Sequence, residues 1–187
     1  MAKLPVEDII RARHALSEVI DETPLQRSDV LSQQYGCNVY LKREDLQVVR
    51  SFKLRGAYNF IQSLGAEERS RGVVCASAGN HAQGVAYSCN HLQINGRIFM
   101  PTTTPRQKIT QVKRFGGDYV EVVLSGDTFD DSAEQAQAYA RENGMEFIHP
   151  FDDARTIAGQ GTVGFEVVHQ MPPRSTTYSR RSAAAVS

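Results

Sequence analysis

Two short stretches of the chain hold the side chains best suited to covalent chemistry and to anion binding. The first has the sequence SFKLRGA at positions 51–57 and places Lys53 at the start of a predicted helix, among apolar neighbours. A lysine in a partly apolar site near other positive charge has a lowered pKa, and its amine can then form a Schiff base. Most lysines at helix starts are instead solvated, so the local pattern by itself favours a structural role.

The second stretch has the sequence ASAGNHAQGVA at positions 76–86, a turn of small residues between a buried strand and a helix. Gly79 lets the backbone approach a ligand closely, and the N–H groups at the start of the following helix attract a carboxylate or a phosphate. The structural alternative is an ordinary strand-to-helix connection in which Ser77 or Asn80 only caps the helix. The turn alone does not decide between the two interpretations.

A third pattern, GQGTVG at positions 159–164, matches the G-x-G-x-x-G signature of dinucleotide-binding proteins. That signature must follow directly on a buried strand, and residues 152–158 do not have the pattern of a strand. We therefore expect no nicotinamide site here. The five histidines lack metal-ligand spacing, so no metal site is expected either.

Helices and strands alternate along the chain around these stretches. Apolar spacing predicts helices at residues 5–20, 54–64, 81–89, 105–115, 129–142 and 156–170. Runs rich in β-formers predict strands at residues 38–42, 73–77, 97–100, 119–124 and 146–149. The alternation after residue 54 predicts an α/β fold with a parallel sheet and helices on its faces. Ligands of such sheets bind beyond the carboxyl ends of the strands, where the turn after residues 73–77 lies.

Composition excludes several classes of partner. The 187 residues contain 21 basic and 21 acidic side chains, so the net charge offers no footprint for nucleic acid or for an anionic membrane. We expect no membrane partner, since no apolar run has the length of a membrane span. Cys37, Cys75 and Cys89 form neither a disulfide framework nor a zinc pattern, and a cytoplasmic location is expected.

The two stretches together resemble the threonine dehydratases, which are pyridoxal-phosphate enzymes of the tryptophan-synthase-β fold group, fold type II. The resemblance is carried by YLKREDLQ at positions 40–47, VRSFKLRGAY at 49–58 and CASAGNHAQGVA at 75–86. It runs from about residue 5 to residue 173 and is closest to the biosynthetic form that opens the isoleucine pathway. It implies three-layer α/β architecture with open twisted sheets, one lobe complete and the other partial.

The resemblance also implies a division of the chain. Residues 1–50 would belong to the large cofactor-binding lobe, residues 51–150 would form the small α/β lobe, and residues 151–173 would return into the large lobe. Full-length members of the family form homo-oligomers, so a homo-oligomer is expected.

The same resemblance assigns roles to individual residues. Lys53 would hold pyridoxal phosphate as a Schiff base and take the Cα proton of threonine, Asn80 would hydrogen-bond the 3′ oxygen of the cofactor, and Phe52 would pack against the site. The substrate carboxylate would be held by Ser77, Ala78, Gly79, Asn80 and His81. The expected products are 2-oxobutanoate and ammonia.

Two alternatives stay open at this point. Serine racemases and serine dehydratases share both motifs, so the substrate could be serine. The chain could also be a non-catalytic fragment that retains only the fold.

Residues 174–187 depart from the pattern of the family. The family has a tetraglycine loop that binds the phosphate of the cofactor shortly after the helix at 166–173, and a serine or threonine at the pyridine nitrogen comes later. The chain has RRSAAAVS at positions 180–187 instead. In a shifted reading frame, the codons of residues 178–187 permit the family-like sequence FAPVGGGGL. We therefore expect a frameshift near Pro173 and Arg174, with out-of-frame residues after it and impaired activity.

The nucleotide sequence tests this expectation. The codons of Ser182 to Ala185 should each end in G, because the shifted frame then encodes four glycines. Family-like sequence should also continue in that frame beyond the loop. Other third bases, or a shifted frame without such a continuation, would contradict the frameshift.

Overall fold

The computed structural model of the protein describes residues 4–172. The segment expected to be out of frame, residues 174–187, lies outside the described residues, so the frameshift stays a prediction. Across residues 4–172, no helix combines the length and the apolar character that crossing a membrane would require.

The first part of the described chain consists of small elements around a two-stranded sheet. In chain order they are α1 (Val6–Leu16), β1 (Leu25–Arg27), α2 (Asp29–Tyr35) and β2 (Tyr40–Lys42), followed by a short 3-10 helix at Glu44–Leu46. β1 and β2 pair antiparallel, with Gln26 opposite Leu41. The hydroxyl of Ser28 caps α2 by accepting a hydrogen bond from the N–H of Leu31.

Helices and strands alternate from residue 73 onward, after two consecutive helices. The elements are α3 (Lys53–Gln62), α4 (Ala66–Arg71), β3 (Val73–Ala76), α5 (Asn80–Leu92), β4 (Gly96–Met100), α6 (Arg106–Gly116), β5 (Val120–Leu124), α7 (Phe129–Glu142), β6 (Glu146–Phe147) and α8 (Ala154–Gln170). The last four strands form one parallel sheet in the order β5-β4-β3-β6. The predicted α/β alternation and parallel sheet are confirmed.

Side chains from the two faces of the parallel sheet enter two separate cores. Successive residues of a strand point to opposite faces, so β3 contributes to both cores. Val73 and Cys75 pack with residues of α3, α5 and α6, whereas Val74 and Ala76 pack with residues of α7. The sheet is therefore the middle of three layers, as the resemblance implied.

The strand order reverses between β3 and β6. The chain passes from β3 to β4 to β5 on one side, and β6 then pairs with the other edge of β3, with Val74 opposite Phe147. Connections that leave neighbouring strands at such a reversal diverge and leave a crevice at the carboxyl ends of the strands. The turn after β3 and the segment after β6 border this crevice.

Local sequence signals locate the long elements better than the short ones. The helix predicted over residues 129–142 has those bounds in the structure, whereas the N-terminal helix ends at Leu16, before the predicted residue 20. The sequence pattern does not predict β1, α2 or α4. α4 buries none of its side chains, and an element without a core face leaves no apolar periodicity.

The G-x-G-x-x-G pattern lies inside α8, and the residues directly before it are helical rather than a strand. A Cβ on Gly159 would lie 2.3 Å from the carbonyl oxygen of Arg55 in α3, and a Cβ on Gly161 would lie 3.1 Å from the side chain of Ile9 in α1. These two glycines let α3 and α1 approach the backbone of α8 closely. Close helix packing therefore explains the first two glycines of the pattern, Gly159 and Gly161.

Alanine substitutions within this pattern should have opposite effects on stability. Gly159→Ala should lower the free energy of unfolding by about 2–3 kcal/mol, because its methyl group would overlap the carbonyl of Arg55. Gly164→Ala is the matched control: it lies exposed in the same helix with nothing within 4 Å of its Cβ position. It should raise the free energy by up to about 1 kcal/mol through helix propensity. Urea unfolding of both variants measures the difference, and equal effects would contradict the packing role.

Candidate active site

Lys53 is the first residue of α3 and is half-buried. Its backbone N–H donates to the hydroxyl oxygen of Ser51 at 3.2 Å, which helps to start the helix. Its ammonium nitrogen Nζ donates to the carbonyl oxygen of Pro150 at 2.8 Å and lies 5.4 Å from the centre of the Phe52 ring. Lys53 and Phe52 are thus adjacent at the crevice, and Lys53 reaches across to the segment that follows β6.

A glycine in α5 brings the second motif against the start of α3. A Cβ on Gly84 would lie 3.1 Å from the Cα of Leu54 and 3.2 Å from the carbonyl carbon of Lys53. A larger residue at position 84 would push the two helix backbones apart by a few tenths of an ångström. Asn80 lies one turn before Gly84, and therefore on the same face of α5. The close contact directs the first turn of α5 towards Lys53.

The turn after β3 is open to a ligand. Ser77, Ala78 and Gly79 are half-buried, Asn80 is exposed, and nothing lies within 4 Å of a Cβ position on Gly79. Gly79 is the N-cap of α5 and no side chain caps the helix, so a simple cap by Ser77 or Asn80 is not observed. The hydroxyl oxygen of Ser77 instead accepts the N–H of Gly79 at 3.2 Å. The N–H groups of the first turn of α5 have no carbonyl partner inside the helix.

The His81 side chain lies beneath this turn rather than in the crevice. It is 3% exposed, and its Nε2 lies 2.9 Å from the carbonyl oxygen of Ile148. Because a carbonyl oxygen only accepts, Nε2 carries the proton; Nδ1 is buried without a hydrogen-bond partner in the described chain. The pKa of His81 is lowered to about 4, mainly by burial and in smaller part by the nearby charges of Lys53 and His149, while the hydrogen bond to Ile148 opposes the shift. His81 is therefore neutral at pH 7 and joins the turn after β3 to the segment after β6.

A buried ion cluster fixes α3 from the other side, and the sequence analysis missed it. The Arg55 side chain is fully buried, and its five N–H groups make five hydrogen bonds: two to Glu44, two to Glu166 and one to Thr162. Their lengths range from 2.6 to 3.1 Å. Lys42 adds a second cation, with its Nζ 2.5 Å from a carboxylate oxygen of Glu166. The four charges balance within the cluster.

Every partner of the cluster is held by a second contact. The hydroxyl of Thr23 donates to Glu44 at 2.6 Å, and Lys42 also donates to the carbonyl of Thr23. Burial by itself would lower the pKa of Arg55, but the hydrogen bonds and charges of Glu44 and Glu166 outweigh it and raise that pKa. The only sequence signal for this cluster is Arg55 on the otherwise apolar face of α3, and that signal does not identify its partners.

The donor set at the crevice fits pyridoxal phosphate. Lys53 supplies a primary amine for an aldehyde, Asn80 supplies an exposed side-chain amide, and the start of α5 supplies N–H groups for an anion. The open space at Gly79 leaves room for a ring or a carboxylate. The resemblance places a tetraglycine loop for the phosphate after α8; the chain has RRSAAAVS there, and these residues lie outside the described part of the structure. Among residues 4–172, no three His, Cys, Asp or Glu side chains cluster as metal ligands.

Comparison with known proteins gives consistent results. The family model described as "Pyridoxal-phosphate dependent enzyme" matches residues 16–179. The chain is 63% identical over 171 residues to "L-threonine dehydratase biosynthetic IlvA" of Halalkalibacterium halodurans, covering 91% of this chain and 41% of that protein. It is 55% identical over 168 residues to the protein of the same name from Bacillus subtilis, covering 90% and 40%. The chain thus spans about two fifths of the length of these curated relatives.

Solved structures share the fold. The processed form of threonine deaminase isoform 2 from Solanum lycopersicum superposes with a TM-score of 0.82 at 47% identity, covering 89% of this chain and 47% of that one. Maize serine racemase superposes with a TM-score of 0.83 at 32% identity, covering 89% and 50%. The chain superposes almost equally well on both structures, but its sequence identity to the threonine deaminase is higher than to the serine racemase.

The buried state of His81 should make stability depend on pH. The pKa of His81 is about 4 in the folded chain against an ordinary value of 6.5, so below pH 6.5 the unfolded chain binds a proton that the folded chain does not. Stability should therefore fall between pH 6.5 and pH 4, by roughly 2–3 kcal/mol. Urea unfolding at pH 7 and at pH 4.5 should show this loss in the wild type and a smaller loss in His81→Asn. His14, which is exposed in α1, provides the control, and its replacement should leave the loss of stability between pH 7 and pH 4.5 unchanged. If replacing His14 reduced this loss as much as His81→Asn does, the loss could not be assigned to His81.

Proposed function

The chain belongs to the family of pyridoxal-phosphate-dependent enzymes, and from this premise we propose that it is the Lys53-bearing part of a threonine dehydratase. The reaction is the conversion of L-threonine to 2-oxobutanoate and ammonia. The observation that carries the proposal is the position of Lys53, which faces the crevice between the turn after β3 and the segment after β6. The sequence identity of 63% and 55% to two proteins named as biosynthetic L-threonine dehydratases supports the substrate.

Lys53 has two tasks in this proposal. Pyridoxal phosphate, when bound, supplies an electron-withdrawing ring that stabilises negative charge at the substrate Cα. The Nζ of Lys53 would hold the cofactor covalently, and the same amine would take the Cα proton of the substrate. The carbonyl oxygen of Pro150, 2.8 Å from Nζ in this structure, is an acceptor that holds the protonated amine beside the crevice. The ring of Phe52 borders the same amine.

The turn after β3 orients the substrate. We assign the substrate carboxylate to Ser77, Ala78 and the N–H groups of residues 79–81, because the start of α5 favours negative charge. The exposed amide of Asn80 is assigned to the 3′ oxygen of the cofactor. His81 contributes its backbone N–H, while its buried side chain holds the turn in place.

The atoms of the reaction balance without an oxidant or a reductant. Threonine loses its Cα proton, which Lys53 takes and passes to solvent, and its β-hydroxyl group, which takes a proton from solvent; the net loss is one water molecule. One water molecule then hydrolyses the dehydrated molecule, which still carries the amino nitrogen, and this step gives 2-oxobutanoate and ammonia. None of the described residues is assigned to protonate the departing hydroxyl.

The apolar surface of the first part of the chain supports a larger assembly. Among residues 4–172, twelve large apolar side chains are exposed, and seven of them lie before residue 50: Val6, Ile10, Val30, Tyr35, Leu41, Leu46 and Val48. Such a surface is typically covered by further protein. We infer that a second lobe or a second subunit covers it in the whole enzyme, which we propose to be a homo-oligomer. The free thiols of Cys37, Cys75 and Cys89 support a cytoplasmic location.

Serine is the second candidate substrate, because serine racemases match this chain with TM-scores of 0.82 and 0.83. Their sequence identities of 31% and 32% are lower than the 47% of the tomato threonine deaminase. We therefore expect a higher kcat/KM for threonine than for serine. The reverse order would favour the serine enzyme.

Covalent labelling tests the role of Lys53. The full chain is incubated with pyridoxal phosphate, reduced with borohydride and digested, and the modified peptides are identified by mass spectrometry. The adduct should lie on Lys53 and be lost in Lys53→Ala, and in the enzyme with its reading frame restored the same variant should also lose turnover of threonine. Lys113→Ala, in an exposed position of α6, is the matched control and should keep both.

The outcomes of this experiment separate the proposed enzyme from a non-catalytic fragment. Absence of the adduct from Lys53 would contradict the proposed function. An adduct on Lys53 without turnover of threonine or serine by the enzyme with its reading frame restored would favour the non-catalytic fragment.

A further inference from the structure

The carbonyl oxygen of Pro150 accepts hydrogen bonds from two side chains that belong to different helices. The Nζ of Lys53 in α3 donates to it at 2.8 Å, and the Nε2 of Gln160 in α8 donates to it at 3.0 Å. A carbonyl oxygen has two lone pairs, so these two donors fill both of its acceptor positions. Gln160 is therefore connected to Lys53 through one shared atom.

The path of the Gln160 side chain depends on a glycine one turn after Lys53. A Cβ on Gly56 would lie 2.9 Å from both the Cγ and the Nε2 of Gln160. Gly56 follows Lys53 by three residues, so both positions lie on one face of α3. The Gln160 side chain thus passes α3 at Gly56 and ends at the carbonyl oxygen that also accepts from Lys53.

We propose that Gln160 is a positioning residue for Lys53 and that it acts through the Pro150 carbonyl. This inference rests on the proposed function, in which the Lys53 amine leaves this carbonyl to react and later returns to it. Gln160 would keep the carbonyl oxygen in one place throughout that cycle.

Two physical effects support this role. The amide group of Gln160 keeps the carbonyl oxygen hydrogen-bonded when the lysine departs, and an acceptor left without any donor would oppose that departure. The positive end of the Gln160 amide also lies at the same oxygen, which weakens the attraction of that oxygen for the Lys53 ammonium. Both effects make the amine easier to release for reaction.

In the segment of residues 148–150, every backbone carbonyl group has a side-chain hydrogen-bond partner. The carbonyl of Ile148 pairs with His81 at 2.9 Å, and the carbonyl of His149 accepts the hydroxyl of Thr156 at 3.0 Å. Thr156 lies one turn before Gln160 on α8. Thr156 and Gln160 thus each donate from α8 to a backbone carbonyl, Thr156 to that of His149 and Gln160 to that of Pro150. Of these two carbonyls, that of Pro150 is the one that also accepts from Lys53.

This arrangement provides a matched pair of variants. Gln160→Met keeps the length of the side chain and removes its donor, whereas Thr156→Val keeps the shape and removes the hydrogen bond to His149. In the full chain, the rate of covalent attachment of pyridoxal phosphate to Lys53 is followed by borohydride trapping and mass spectrometry of the Lys53 peptide. Gln160→Met should slow attachment about tenfold, and Thr156→Val should change it by less than about twofold.

Gln160→Glu is a second, isosteric variant whose carboxylate cannot donate at neutral pH. It should slow attachment at least as much as Gln160→Met, because its negative charge would also retain the Lys53 ammonium. Circular dichroism and urea unfolding of each variant show whether its fold is kept.

Each outcome supports or overturns the inference. Wild-type rates in both Gln160 variants, or an equal loss in Thr156→Val, would overturn the positioning role. Loss of the fold in both Gln160 variants would also overturn it, because Gln160 would then be a stabilising residue only. Absence of the adduct from wild-type Lys53 would instead contradict the proposed function.

Discussion

The buried guanidinium of Arg55 is the interaction on which the rest of the site depends. A charge without solvent is costly unless hydrogen bonds and opposite charges replace the water, and breaking such a pair is more costly still. Arg55 meets this requirement only when Glu44 and Glu166 lie on either side of it. These carboxylates come from the segment after β2 and from α8. The cluster therefore holds three distant parts of the chain in one arrangement, with α3 in the middle.

The fixed position of α3 determines where the amine of Lys53 lies. Lys53 precedes Arg55 by two residues, so the end of the helix that carries it is restrained by the ion cluster. Glycines then allow close approach on two further sides, Gly84 from α5 and Gly159 from α8. Functional groups on rigid elements are held more accurately than those on loops. The strand reversal between β3 and β6 supplies the crevice, and α3 supplies the amine that faces it.

The shared geometry explains why related enzymes with different names resemble this chain. The backbone arrangement that carries Lys53, the turn after β3 and the crevice belongs to the fold, and serine racemase and threonine deaminase structures match this fold with nearly equal TM-scores. Discrimination between serine and threonine concerns one methyl group, and such a difference in a pocket is worth only about 1–3 kcal/mol. It therefore requires contacts to the substrate side chain, which are additional to the groups assigned here to the amine, the carboxylate and the cofactor.

The sequence by itself determined the alternation of helices and strands, the position of Lys53 at a helix start and the turn at residues 77–81, because these follow from periodicity and motifs among near neighbours. Only the tertiary structure decided the partners of these residues. Lys53 hydrogen-bonds to Pro150, which is 97 residues away in the sequence, and Arg55 hydrogen-bonds to Glu166, which is 111 residues away. The glycines of residues 159–161 also acquired their role in helix packing only in the fold. Such pairings depend on how the elements pack in three dimensions, and no local pattern of residue types records that.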